Sequence, residues 1–260
     1  MKKLQRAVLL VFVLSLLAVF SASAAFAATT VTVFAAASMT ESMNQIAQLY
    51  KAVAPDVEIV YNFDSSGTLK TQIEQGADCD VFISAGQRQM NDIEAKFVMP
   101  GTRFNIVSNK VVLVVPKGVN PKKIDDFKDV VTDKVFLLAI GNSDVPVGQY
   151  SEEIYKNLGI WDELLSMKKT TFGSNVKEVL SQVAAGAVDC GIVYSTDAAT
   201  NNGVEVVAEA PADSHRPITY PAAILNGPAD EAASKAFVEF LKGPEASGVF
   251  TSIGFAIPAK

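Results

Sequence analysis

The chain contains few residues that could cross-link a fold or bind a metal ion. It has two cysteines, one histidine and one tryptophan among 260 residues. Cys79 and Cys190 form no C-x-x-C pair, and with His215 alone they cannot supply the four ligands of a usual zinc site. Two cysteines are also too few for a disulfide framework. A catalytic triad would need His215, but the polar loop around this residue indicates a surface position.

Signatures of nucleotide and nucleic-acid binding are also missing. No G-x-G-x-x-G loop and no Walker loop follows a predicted strand. The 28 acidic residues outnumber the 22 basic ones, and the net charge is −6. Nucleic-acid binding needs a basic face, so the sequence predicts no nucleic-acid partner.

The first 27 residues have the parts of a secretory signal peptide. A basic head within the first six residues precedes an apolar stretch that ends near Phe20, and Ala25-Phe26-Ala27 has the A-x-A form of a cleavage site. A retained anchor is the alternative, but the stretch is shorter than the roughly 20 residues that span a bilayer. We expect residues 1–27 to be removed and the mature chain to be periplasmic. Removal takes away three basic and no acidic residues, which moves the net charge from −6 to −9.

Strand-like and helix-like segments alternate along the rest of the chain. The predicted strands are Val31–Ala36, Val57–Phe63, Val81–Ser84, Val111–Val115, Val135–Ile140, Lys168–Phe172, Gly191–Tyr194, Val204–Val207 and Ala222–Leu225. The predicted helices are Met43–Val53, Leu69–Gln75, Tyr150–Leu158, Val176–Ala185 and Ala232–Leu241, the last stopped by Gly243-Pro244. The alternation predicts an α/β fold with mainly parallel sheets and helices on both faces.

Two segments of the chain resemble each other. Residues 72–84 and 182–195 each contain a helix, a glycine stop and a strand that ends in a hydroxyl residue. Two similarly built α/β lobes would produce this repeat, and so would coincidence between two common units. Cys79 and Cys190 begin the two strands, so we expect free, mostly buried thiols that lie too far apart to bridge.

Four loops share one local design, in which small polar residues stand before the start of a helix. They are Ala35–Ser38, Asp64–Thr68, Asp144–Gly148 and Gly173–Val176. Ser38 and Glu41 fit the S-x-x-E capping box. A helix start offers unpaired backbone N–H groups and about half a positive charge, which suits an anion. Ordinary capping explains each loop singly, but ligands of open α/β sheets lie beyond the carboxyl ends of strands, where these loops meet.

The motifs at these loops resemble the periplasmic molybdate-binding proteins of ABC importers. The resemblance is carried in order by Ala35–Ser38, Phe63–Leu69, Asp80–Ala85, Val145–Tyr150, Gly191–Tyr194 and Tyr220–Ile224. It implies a two-lobed periplasmic-binding-protein fold of type II, in which each lobe is a mainly parallel sheet flanked by helices and two crossing hinge segments join the lobes. The first lobe is expected at residues 28–108 plus 221–260, and the second at 109–220.

The resemblance also implies a ligand and a way of holding it. A tetrahedral oxyanion would be bound by neutral donors on Ser38, Ser66, Val147, Val176 and Tyr194, the valines acting through their main-chain amides. The implied ligand is molybdate, with tungstate, so molybdenum would be bound only as the oxyanion. No cofactor and no catalytic residue is implied. The implied partner is the membrane permease of an ABC importer, and the implied oligomeric state is a monomer.

Three residues depart from the pattern or stand beside it. Gly67 replaces a third hydroxyl residue found in some members, and Asp64 and Asp144 lie next to expected ligands. A site lined only by hydrogen-bond donors favours a dianion without a proton. A carboxylate that points into the site would instead favour a protonated phosphate. Sulfate, phosphate or another small anion are therefore alternatives. An enzyme on the same fold is a further one, which would need an acid or base facing the cleft.

Overall fold

Ten strands form two five-stranded sheets in the computed structural model, which describes residues 28–258. The strands are β1 (Thr29–Ala36), β2 (Val57–Asp64), β3 (Val81–Ile83), β4 (Phe104–Ser108), β5 (Val111–Pro116), β6 (Leu138–Gly141), β7 (Thr170–Gly173), β8 (Cys190–Tyr194), β9 (Val204–Glu209) and β10 (Thr219–Ile224). The first sheet has the order β2-β1-β3-β10-β4 and the second the order β7-β6-β8-β5-β9. In each sheet four strands run in one direction, and β10 or β5 runs against them.

Helices pack on both sheets, as the alternation of the sequence predicts. Those that follow strands of the first sheet are α1 (Thr40–Val53), α2 (Ser66–Glu74), α3 (Gln87–Phe97), α8 (Glu231–Leu241) and α9 (Pro244–Ile253); those of the second sheet are α4 (Pro146–Asn157), α5 (Trp161–Ser166), α6 (Val176–Ala184) and α7 (Ser195–Ala199). Because β5 and β8 lie inside their sheet, every residue of Val111–Pro116 and Cys190–Tyr194 is buried.

Two crossing segments connect the sheets. The chain leaves the first sheet after Ser108 and enters the second at Val111, and it returns between Glu209 and Thr219. We call the part built on the first sheet the first lobe and the part built on the second sheet the second lobe. The predicted borders at 108/109 and 220/221 fall beside these crossings, and as exact borders they stay a prediction.

The repeat in the sequence corresponds to equivalent units of the two lobes. β3 and β8 take the same third position in their sheets. The helices before them, α2 and α6, are each followed by a left-handed glycine, Gly76 with φ 89° and Gly186 with φ 68°, a conformation in which glycine needs no strain. Cys79 and Cys190 are both free, as predicted. Burial raises the pKa of both thiols, that of Cys79 to about 12.

The structure corrects several predicted elements. The sequence did not predict α3, α5, α7, α9 or β4, and the predicted β6 began three residues too early. The sequence predicts Gly243-Pro244 as the stop of the last helix, but Pro244 is the first residue of a further helix, α9. At this position the missing N–H group of proline removes no helical hydrogen bond. α4 begins at Pro146 rather than Tyr150 for the same reason.

Within residues 28–258, no helix has the length and apolar character needed to cross a membrane. The predicted signal peptide, residues 1–27, lies outside the described residues.

Candidate functional site

The loops at the carboxyl ends of the strands line a pocket between the two lobes. Its cavity volume is about 10 Å³, which is room for about one water molecule. It is lined by Ala36, Ala37, Ser38, Asp64, Ser65, Ser66, Ala85, Val145, Pro146, Val147, Val176 and Tyr194. All five residues that the sequence analysis singled out are among them. The lining residues include neither lysine nor arginine.

Ser38 reaches the pocket through a tight turn and not through a capping box. Residues Ala37–Met39 form a short 3₁₀ turn, and α1 begins only at Thr40 with Met39 as its N-cap and no side-chain cap. The predicted capping box of Ser38 and Glu41 is therefore wrong, because the turn moves the N-cap by one residue, from Ser38 to Met39. The Ser38 side chain is buried, and its Oγ lies 2.9 Å from Tyr220 Oη.

Ser66 is the first residue of α2, and its neighbour caps the helix. Ser65 Oγ accepts a hydrogen bond from Thr68 N at 3.1 Å. The Ser66 hydroxyl is left for another contact, and its Oγ accepts from Ala85 N at 2.9 Å, across to the loop after β3. Both serines of the expected ligand set thus have roles other than capping.

Val147 and Val176 present main-chain N–H groups at two further helix starts. Val147 is the second residue of α4, and Val176 is the first of α6, where Asn175 is the N-cap and accepts from Glu178 N. First-turn amides have no acceptor inside their own helix. Within residues 28–258, no hydrogen bond satisfies the N–H group of Val147 or of Val176. Both residues line the pocket, so the second lobe contributes two residues whose main-chain donors have no partner among the described residues.

Tyr194 ends β8 and places a buried hydroxyl in the pocket. The residue is 1% exposed, and its Oη has no hydrogen-bond partner among the described residues. Its ring lies edge-on between Tyr150 and Tyr220, with centroid distances of 6.4 and 5.9 Å. Burial raises the pKa of Tyr194 well above its usual value, so the hydroxyl keeps its proton. An unpaired buried hydroxyl costs about 1–3 kcal/mol, which a bound acceptor would recover.

The two acidic residues beside the site differ in position. Asp64 lines the pocket, but its Oδ1 already accepts from Ser65 N at 2.7 Å and from Asn175 Nδ2 at 3.2 Å. Asp144 is exposed and lies outside the lining, and its carbonyl oxygen accepts from Gln89 Nε2 at 3.2 Å. One carboxylate therefore reaches the pocket with half of its acceptors occupied.

Comparison with known proteins identifies the family. A family model described as bacterial extracellular solute-binding protein matches residues 31–256. The chain belongs to this family. The molybdate-binding protein ModA of Escherichia coli (strain K12) is 40% identical over 235 residues, which cover 87% of this chain and 89% of that protein. ModA of Haemophilus influenzae is 38% identical over 230 residues, with the same coverage of 87% and 89%.

A solved structure extends the comparison to the fold. The periplasmic molybdate-binding protein of Azotobacter vinelandii matches with a TM-score of 0.79 at 25% identity, over 88% of this chain and 100% of that chain. This solute-binding protein therefore has the predicted two-lobed type II periplasmic-binding-protein fold.

Sequence reasoning missed the residues that support the site. Tyr220 contacts Ser38, and Asn109 contacts Tyr220. Lys177 forms ion pairs with both Glu41 and Asp197. Tyr220 belonged to a motif of the resemblance, but nothing in the sequence assigned it a role. Asn109 carries no signal in the sequence, because a single asparagine between two strands is typical of any turn.

Proposed function

We propose that this solute-binding protein binds molybdate, and also tungstate, in the cleft between its lobes and delivers the ion to the membrane permease of an ABC importer. The names of the relatives with 38% and 40% identity support this ligand class. The ion is cargo, so no cofactor takes part. Delivery from the periplasm by a monomer, after removal of residues 1–27, is part of the same proposal.

The observation that carries the proposal is the convergence of five neutral donors on one pocket without a cationic side chain in its lining. The donors are the hydroxyls of Ser38, Ser66 and Tyr194 and the amides of Val147 and Val176. The starts of α2, α4 and α6 add partial positive charge on three sides. Such a site can hold a dianion although the chain is acidic overall, since the local field comes from the helix ends.

The donor set favours an anion without a proton. Molybdate, tungstate and sulfate offer only acceptors, and every donor of the pocket can be satisfied by them. Hydrogen phosphate carries a proton that needs an acceptor, and leaving it unpaired costs roughly 1–3 kcal/mol. Sulfate satisfies these donors as well, so its discrimination from the larger molybdate and tungstate must come from the size of the cleft around the bound ion.

Hydrogen phosphate is the second candidate, and Asp64 is the observation that favours it. Its carboxylate lines the pocket and could accept the proton of the anion. Its hydrogen bonds to Ser65 and Asn175 oppose this role, because both hold the carboxylate against the protein.

A thermal-shift panel with molybdate, tungstate, sulfate and phosphate tests the proposal. A ligand at 1,000 times its dissociation constant stabilises a protein by about 4 kcal/mol. We expect large shifts of the midpoint with molybdate and tungstate and small ones with the other two. Absence of a shift with molybdate and tungstate would refute the proposal, and a large shift with phosphate alone would establish the second candidate. An enzyme on this fold would instead turn over a substrate with a bell-shaped pH dependence.

A further inference from the structure

The hydroxyl of Ser38 ends a chain of hydrogen bonds that starts at a main-chain N–H group. Lys110 N donates to Asn109 Oδ1 at 2.9 Å. Asn109 Nδ2 lies 3.2 Å from Tyr220 Oη, and Tyr220 Oη lies 2.9 Å from Ser38 Oγ. Asn109 stands in the first crossing segment, and Tyr220 follows the second one, so the chain of contacts joins both crossings to the pocket.

The first member of this chain fixes the orientation of the Asn109 amide. A main-chain N–H can only donate, so the atom that faces Lys110 N is the amide oxygen of Asn109. Ser195 Oγ donates to the same oxygen at 3.0 Å. The other end of the Asn109 amide is therefore the NH₂ group. Its two protons go to Thr196 Oγ1 at 2.9 Å and to Tyr220 Oη.

A phenol has a single proton. Tyr220 is fully buried and its oxygen accepts from Asn109, and Ser38 Oγ is its only other partner among the described residues. The buried phenol proton is satisfied only if it points at Ser38 Oγ. Ser38 Oγ then accepts, and its own proton must point elsewhere. Among the described residues Ser38 Oγ has no second partner, and the residue lines the pocket.

We propose that Asn109 and Tyr220 are positioning residues that turn the Ser38 proton into the cleft, and so make Ser38 a donor to the anion and never an acceptor. The proposal rests on the proposed oxyanion function. Neither residue lines the pocket, and their hydrogen bonds reach it at Ser38. Their effect is on selectivity, because a serine that can only donate rejects an anion that brings its own proton.

The hydroxyl proton of Ser66 is directed in the same way by a single hydrogen bond. Ala85 N donates to Ser66 Oγ at 2.9 Å, so the Ser66 proton is also directed away from this contact. A main-chain N–H group thus orients the hydroxyl of Ser66 directly. Another main-chain N–H group orients the hydroxyl of Ser38 through the side chains of Asn109 and Tyr220.

A single substitution reverses the chain of contacts. In Asn109→Asp the NH₂ group becomes an oxygen, which accepts the Tyr220 proton. Tyr220 Oη then accepts from Ser38, whose proton leaves the cleft. We expect the affinity for molybdate to fall by about tenfold or more, and the ratio of phosphate to molybdate affinity to rise by about tenfold, since Ser38 now presents a lone pair.

A double-mutant cycle separates this mechanism from general damage. Isothermal titration with molybdate is run on the wild type, Ser38→Ala, Asn109→Asp and the double variant. We expect Asn109→Asp to cost nothing further when Ser38 is already alanine, because there is no proton left to orient. A loss of the same size in both backgrounds would overturn the proposal, since the new negative charge would then act directly on the anion.

Tyr220→Phe provides a second and uncharged cycle. It removes the proton that holds Ser38, and its smaller loss of affinity is also expected to vanish in the Ser38→Ala background. If the wild type binds molybdate but the losses of affinity are additive in both cycles, the positioning role of Asn109 and Tyr220 is overturned and the proposed function stands. A wild type that binds none of the four anions removes the proposed function and this inference with it.

Discussion

Lys177, the second residue of α6, lies 2.8 Å from both carboxylate oxygens of Glu41, the second residue of α1 on the other side of the cleft. The same ammonium group lies 2.9 Å from Oδ1 of Asp197, which is fully buried. Burial alone would lower the pKa of Lys177, but Asp197 and Glu41 outweigh it and the pKa is raised. Lys177 therefore stays charged and joins the two lobes.

Glu41→Gln is expected to weaken anion binding without touching the anion. The change breaks the contact between the lobes but leaves the Lys177–Asp197 pair in the second lobe. The side chains of Glu41 and Lys177 are partly exposed, so the pair contributes about 0.5–1 kcal/mol, and affinity should fall by about two- to fivefold. Titration calorimetry measures this loss. Glu74→Gln breaks the Lys70–Glu74 pair inside α2 and is the control, with unchanged affinity; equal losses for both variants would contradict a role in closure.

Tyr194→Phe separates the effect of the buried hydroxyl on protein stability from its effect on the affinity for the ligand. Because Tyr194 Oη has no partner among the described residues, its removal should leave the ligand-free protein as stable or slightly more stable. Affinity for molybdate should fall by roughly 10- to 150-fold, the equivalent of one hydrogen bond to a charged group. Thermal unfolding and titration calorimetry give the two quantities.

Tyr155→Phe is the matched control for Tyr194. Tyr155 Oη is equally buried and unpartnered among the described residues, but it lies away from the pocket. We expect the same gain in stability and no change in affinity. If Tyr194→Phe behaved like Tyr155→Phe in both measurements, the Tyr194 hydroxyl would have no part in binding.

Only part of the site could be predicted from the sequence. The motifs around Ser38, Ser66 and Tyr194 located the donors, and glycine stops such as Gly76 located the helix ends that face away from the cleft. The S-x-x-E pattern was misleading because a 3₁₀ turn can precede the helix without any change in composition. The contact of Ser38 with Tyr220 spans 182 residues of sequence, and no local pattern reports such a distance.

Two missed helices and one helix start that was predicted too late have physical reasons as well. α3 contains only three buried residues among eleven, one of which is the polar Gln89, so its apolar periodicity is faint. The first turns of α4 and α9 contain proline or glycine. These residues resemble breakers in a sequence, whereas proline at the first helical position is favourable.

Gly67→Ala is expected to block closure while sparing the fold. A Cβ on Gly67 would overlap the carbonyl oxygen of Asp144 across the cleft. This explains why the position holds glycine and not a third hydroxyl residue. Alanine suits the helix itself, so the ligand-free protein should gain up to about 1 kcal/mol. Closing the lobes against the methyl group should cost about 1–3 kcal/mol, which lowers the affinity by roughly 5- to 150-fold.

Gly248→Ala is the control for this change. Gly248 lies in α9, and a Cβ there has no atom within 4 Å. The same gain in helix stability is expected, with unchanged affinity for molybdate. Equal affinities for the two glycine variants in titration calorimetry would show that the Gly67–Asp144 contact does not limit binding.

Asp197 gives the stability of the protein a defined pH dependence. Burial raises its pKa from 3.8 to about 6, against the opposing effect of Lys177. The folded protein therefore binds this proton more tightly than the unfolded chain. Its contribution to stability is fully present below about pH 4 and is lost as the pH rises through about 6.

Denaturant unfolding of the wild type and of Asp197→Asn tests this dependence. The free energy of unfolding of the wild type, taken relative to the variant, should fall by up to roughly 3 kcal/mol between pH 4 and pH 7. Other titrating groups are common to both proteins and cancel in the difference. A difference that stays constant, or rises with pH, would mean that Asp197 is ionised throughout.

The most direct measurement is a crystal structure of the protein grown with molybdate, in which the anomalous scattering of molybdenum locates the ion. We predict one site between the lobes, with oxyanion atoms within hydrogen-bond distance of Ser38 Oγ, Ser66 Oγ, Tyr194 Oη and the amides of Val147 and Val176. An ion bound elsewhere, or held by a lysine or arginine side chain, would contradict it.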